Sequence, residues 1–97
     1  MNRFIVLYLH QDAYRHIACQ TQLEANDYLK QVFIREGGTP MGIYDAKTEL
    51  FKWEPVRQLQ YDQLCLEEQS RLGHHIIAIA QLFLTQVTSL AAIQLQP

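Results

Sequence analysis

The last quarter of the chain carries no acidic side chain and no lysine or arginine. None occurs after Arg71, and residues 75–93 read HIIAIAQLFLTQVTSLAAI. This spacing predicts a helix. On a helical wheel Ile76, Ile79, Ala80, Phe83, Leu84, Val87, Leu90 and Ala91 fill an arc well over the roughly 100° stripe of an ordinary surface helix. Such a face must be covered, either by the chain's own sheet or by a second copy. A domain of 97 residues is small for absorbing so wide and long a helix on one contact. An apolar patch of that size is more than soluble monomers usually tolerate. Pairing by two-fold symmetry is the commonest solution, so these eight residues are the expected interface of a homo-oligomer, a dimer first of all.

A membrane span is the other way to cover an uncharged stretch of this length. Here Gln81, Thr85, Gln86, Thr88 and Ser89 interrupt it, and Gln81, Thr85, Thr88 and Ala92 share one side at helical spacing. A packed amphipathic helix needs such a polar stripe and a membrane span does not. No membrane partner is expected.

Length and composition suit one small globular domain over residues 1–97. The apolar share is 48% and the charged share 19%. With 8 basic and 10 acidic residues the formal net charge is −2. No basic excess is available to neutralise phosphates, so a nucleic-acid partner is not expected either. Cys19 and Cys65 stand alone, without a CxxC pair, and reduced thiols in a cytoplasmic protein are the simplest reading. The apolar run Phe4–Leu9 is too short for a secretory core.

Read in order, RFIVLYLH (3–10) is a β-branched and aromatic run that is apolar on both faces. It predicts a first strand buried on both sides of a sheet. A turn at Gln11-Asp12-Ala13 leads into a second, antiparallel strand over 14–20. Thr21-Gln22-Leu23-Glu24 is a capping box: the hydroxyl accepts from the Glu24 amide, and the Glu24 carboxylate is expected to reach back to the Thr21 amide. The helix it opens runs to about Glu36. Its expected buried stripe is Ala25, Tyr28, Leu29, Val32 and Phe33, and Gly37-Gly38 supplies the left-handed stop. Residues 40–54 read as a hairpin turning at Asp45-Ala46-Lys47-Thr48. Glu49 stands where glycine would help a type I turn close into a bulge. Pro55 suits the first turn of a helix. No further proline occurs before Pro97, so residues 56–94 predict a long C-terminal helix of roughly 58 Å at ~1.5 Å per residue. It should either bend near Ser70–Gly73 or project toward a partner.

The order is thus β-β-α-β-β-α. It predicts an α+β fold with a four-stranded, mainly antiparallel sheet carrying a middle helix and a long C-terminal one. A β-grasp-like roll is the second compatible topology.

Candidate chemistry is sparse. His74 and His75 are adjacent, and helical neighbours point about 100° apart, so they do not chelate one metal as i, i+4 histidines do. A zinc site would need His10, His16 or a cysteine brought from elsewhere, and no spacing demands one. Cys19 and Cys65 both read as structural thiols, since buried thiols are inert. The carboxylates are scattered. Gly37–Gly42 follows a helix, not a strand, and so lacks the context of a phosphate loop. Tyr8, Tyr14 and His16 would make a stacking platform for a single strand only if the first hairpin's face were open and basic. No cofactor, metal or catalytic set is expected. The sequence therefore points to a non-catalytic interaction module that self-associates through its C-terminal helix. The competing reading is a small-molecule-binding or enzymatic domain with a pocket between sheet and C-terminal helix, drawing on Tyr8, His16, Trp53, His74 and His75.

Overall fold

The computed structural model describes residues 2–95, the side chains of 89–95 excepted. Four strands and three helices follow in the order β1 (Phe4–His10), β2 (Ala13–Cys19), α1 (Gln22–Glu36), β3 (Thr39–Asp45), β4 (Leu50–Trp53), α2 (Pro55–Asp62) and α3 (Leu66–Leu95). The sheet runs β2-β1-β3-β4 and every neighbouring pair is antiparallel. This is the α+β arrangement with β1 at its centre. β2 and β3 flank β1 on either side and run parallel to one another, with α1 as their crossover.

Strand alternation sorts β1 onto two cores. Phe4, Val6 and Tyr8 point to one face, where Cys19, Ile43 and the α1 residues Ala25 and Val32 bury them. Ile5 and Leu7 point to the other, against Met41, Tyr44, Trp53 and the α3 residues Ile76 and Ala80. The molecule is therefore three layers: α1, the sheet, then α3. On its own face α1 packs on β1, β2 and β3. β4 is left bare there, with Leu50 and Lys52 exposed.

Local signals build these elements. The first hairpin turns on Gln11 and Asp12, at φ 53° and 62°, the two left-handed residues of a type I′ turn. The second turns through Asp45, whose carboxylate accepts from the Lys47 amide at 2.9 Å, and it closes on Glu49 at φ 60°. Glutamate thus occupies the left-handed bulge position that glycine would fill at less cost. Arg3 and Asp45 form a bidentate pair at 2.8 Å for both bonds. The guanidinium, opposed only in part by burial, holds the Asp45 carboxyl down at about 2. Between β1 and β3 the register shifts at Leu7/Tyr8, which face Gly42 and Pro40. Met41 is the extra residue of a bulge, and the bulge lets a proline without an N–H stand inside a sheet.

α1 begins on Thr21, whose hydroxyl accepts from the Glu24 amide at 3.2 Å. The reciprocal arm differs from the sequence reading. The Glu24 carboxylate takes the Gln20 amide, at 3.2 Å, and not that of Thr21. The stop is Gly37 at φ 65°, donating to the Phe33 carbonyl. The buried stripe is also narrower than the spacing implied. Ala25 and Val32 are buried and Leu29 partly so, but Tyr28 is 37% exposed and Phe33 74%. Phe33 stands on the flank of α1 that looks over Lys52 of β4, which α1 does not cover, and Tyr28 lies among Glu24, Asp27, Gln31 and Arg35 on the outer surface of α1.

The long C-terminal helix divides in two. α2 is capped by Glu54, whose carboxylate accepts from the Val56 and Arg57 amides, with Pro55 in its first turn. It ends at Asp62, and α3 starts at Leu66. The break lies at 63–65, upstream of the Ser70–Gly73 bend expected from sequence. A clasp holds the corner: the Tyr61 hydroxyl donates to the Gln69 carbonyl, and the Gln69 amide donates to the carbonyls of Tyr61 and Leu64, all at 3.1 Å. Tyr61 is itself pinned by stacking on Trp53 at 5.1 Å. α3 then runs uninterrupted through Gly73.

A Cβ at Gly73 would meet nothing closer than the Tyr61 hydroxyl, at 3.5 Å, an ordinary contact. Gly73→Ala is therefore expected to stabilise the fold by about 0.5–1 kcal/mol, the helix-interior difference between the two residues. A chemical denaturation midpoint that moves up checks it. A drop would mean that the corner needs the glycine.

Candidate functional site

Of the eight residues expected at the C-terminal interface, the structure spends two on the chain's own core. Ile76 and Ala80 are 0% exposed, packed with Ile5, Leu7 and Tyr44. Ile79, Phe83 and Leu84 lie partly buried at the margin of that cluster. Val87 is half-buried and is not among the residues packed on the cluster. Leu90 and Ala91 fall on the helix, but their side chains lie outside the described residues. Leu82, absent from the expected face, is 58% exposed. Its wheel position borders the polar stripe, and for that reason the sequence did not single it out.

α3 is fixed to the sheet at identifiable points. About a third of the way along it, His75 meets Tyr14 of β2 edge-on, with centroids 6.3 Å apart. Further along, Phe83 stacks on His16 of β2 at 4.3 Å and 21°. Of the polar stripe, Gln81 donates to the Tyr44 hydroxyl at 3.2 Å, and the Thr85 hydroxyl donates back to the Gln81 carbonyl at 2.9 Å. Thr88 is exposed.

Beyond these points the helix outruns its support. A seven-residue strand is roughly 23 Å long at ~3.3 Å per residue. A 30-residue helix is roughly 45 Å long at ~1.5 Å per residue. Among the described residues, Leu84 is the last of α3 packed on the sheet cluster. The helix continues to Leu95, roughly 16 Å further at the same rise. The molecule accordingly measures 50 Å along its longest axis, against 30 and 25 Å.

The other candidates do not converge. His74 and His75 are both exposed, and among the described residues no three His, Cys, Asp or Glu side chains are grouped to hold a metal ion. Cys19 is buried as expected, and burial, with Glu24 nearby, pushes its thiol up. Cys65 is exposed: the break places it in the corner and not on a packed helical face. The aromatic platform is split by the sheet. Tyr8 is buried on the α1 side, whereas Tyr14 and His16 lie on the opposite face beneath α3. Trp53 belongs to the α3 side, edge-on to Phe51 at 4.9 Å and stacked on Tyr61. Among the described residues no helix is long and apolar enough to cross a membrane.

His16 lies under α3, stacked on Phe83. Desolvation holds its pKa below the usual histidine value, because the charged form loses water beneath Phe83. The unfolded chain therefore binds the proton more readily than the folded one, and stability rises with pH where this group titrates. Its contribution is complete above about 6.5, the unfolded value, and is lost as pH falls toward the lower folded value. Thermal midpoints recorded between pH 7.5 and pH 5 should decline, and His16→Gln should flatten the decline. An equal slope in the variant would assign it to other groups.

Comparison with protein-family models, with curated proteins and with solved structures finds no match to this chain.

Proposed function

We propose that this protein is a small, non-catalytic, cytoplasmic interaction module that pairs with a second copy of itself through the distal half of α3. One observation carries the reading: the helix runs on past the sheet that supports it, and the part that does so is uncharged. The apolar positions Val87, Leu90 and Ala91 recur there at helical spacing. Two such ends laid against each other by two-fold symmetry would each cover what the other leaves bare. Every large apolar side chain buried in this way contributes about 1.5–3 kcal/mol. The unpaired thiols Cys19 and Cys65 fit a reducing compartment.

The pocket reading loses support in the centre of the seam between sheet and α3. Ile5, Leu7, Ile76 and Ala80 fill it, each 0% exposed.

Light scattering at micromolar concentration tests the proposal. A dimer mass is expected for the natural sequence. Val87→Glu with Leu90→Glu should give a monomer with unchanged circular dichroism, because both positions lie beyond Leu84, the last residue of α3 packed on the sheet cluster among the described residues. Phe83 is the wrong position for this test, since it holds α3 to His16. A natural protein of monomer mass would end the reading, as would a double variant that still dimerises.

A further inference from the structure

The face of β4 left bare by α1 is the floor of a furrow of about 590 Å³. α1 supplies one wall with Leu29, Lys30 and Phe33, Ile43 of β3 adds to the floor beside Lys52 of β4, and Pro55 closes one end. A second depression of about 340 Å³ shares Ile43 and Lys52 and carries the furrow on toward Leu50. Phe33 and Leu50 are 74% and 68% exposed. Both are therefore large apolar side chains at the rim with nothing over them.

The dimensions fit a helix. Helices packed side by side lie about 8–10 Å apart, and neighbouring strands about 4.8 Å. α1 lies mainly over the central strands β1 and β3, so the next helical position on this face falls over β4. The furrow is open along its length. A small ligand bound there would keep much of its surface in water, unlike ligands in ordinary pockets.

Charge selects the kind of helix. The carboxylate of Glu54 is committed to the Val56 and Arg57 amides. That of Asp45, at the far end, is committed to Arg3. Lys30 and Lys52 have no ion-pair partner among the described residues, so the uncommitted charge along the furrow is positive. α3 of a second copy, uncharged after Arg71, does not complement it.

We infer that this furrow is a docking site for an amphipathic helix of another protein, with an apolar stripe for Leu29, Phe33 and Ile43 and carboxylates along its flank for Lys30 and Lys52. This is the helix-in-groove mode of recognition, on the face of the sheet opposite α3 and independent of self-association.

The test uses two synthetic 18-residue helical peptides that share one leucine stripe and differ only in flank, glutamate or lysine. They are titrated against the full chain by fluorescence anisotropy. The glutamate peptide should bind and shift amide signals of Leu29, Phe33 and Ile43, and the lysine peptide should not. Lys30→Glu with Lys52→Glu should weaken the glutamate peptide about tenfold or more and let the lysine peptide bind, because charge complementarity sets partner choice. Equal binding of both peptides would overturn the inference. So would an unaltered preference in the double variant, or equal binding of a glutamate peptide with its leucines replaced by serine. Decanoate shifting the same signals while the glutamate peptide shifts none would overturn it in favour of a small apolar acid.

Discussion

Leu7→Asp should not fold. Leu7 is 0% exposed at the middle of the central strand, facing the α3 core. Its register neighbours are Gly42 on β3 and His16 on β2. No lysine or arginine lies opposite, and burial already disfavours a charge on His16. A carboxylate there loses its water with no adequate partner. The cost should exceed about 4 kcal/mol, the range reserved for buried unpaired charge, against a total stability of roughly 5–15 kcal/mol for a domain. Circular dichroism and amide dispersion should both report an unfolded or collapsed chain at neutral pH. Leu7→Met, which conserves volume, should stay folded and lose less than about 1.5 kcal/mol. A soluble Leu7→Asp protein with cooperative melting would mean that β1 is an exposed edge.

Gly42→Ala should be the second most damaging small change. A Cβ at this position would collide with the Lys52 carbonyl and come within 2.6 Å of the Phe51 ring. The ring can turn, but the carbonyl is held in the β3–β4 ladder, where Gly42 pairs with Trp53. β3 cannot retreat, because on its other side Gly42 is in register with Leu7 at the bulge. A loss of about 3 kcal/mol or more is expected, at or beyond the top of the usual range for overpacking, read as a fall in the urea midpoint. Phe51→Ala in the same chain should not rescue it, since the carbonyl remains. Rescue would place the whole clash on the ring.

Where one stretch of sequence decides an outcome, the outcome was readable beforehand. The run Phe4–Leu9 is apolar on both faces, and β1 is central and doubly covered. Thr21, Glu24 and Gly37 act within a turn of their own positions, and α1 has the bounds they imply. Glu49 was read as a poor residue for its bulge, and it stands at positive φ. The failures share a different cause. The break at 63–65 contains no proline or glycine; it is set by Tyr61, which is held by Trp53 from another element and by Gln69 from the next helix. Phe33 repeats correctly for a buried stripe, yet it is exposed because it faces the side of the sheet that α1 leaves bare over β4, and strand order cannot be counted from a helix's own periodicity. The burial of Ile76 and Ala80 against the sheet is open in the sequence for a similar reason. Their spacing demands a cover without saying whether the cover is the chain's own sheet.

The placement of α3 also sets a timetable. Strands β1 to β4 and helix α1 are all present once Trp53 has been made, so the α1 side of the sheet can close early. The opposite side cannot. Ile5, Leu7, Tyr44 and Trp53 wait for Ile76 and Ala80, so on the ribosome half of the interior stands open until residues 76–80 have emerged. A chain cut short within α2 would have every strand and still present a greasy sheet to its neighbours. The natural fate of such a fragment is precipitation or capture by a chaperone, and the uncharged tail that reads first as an adhesive is also the lid that makes the newborn protein safe.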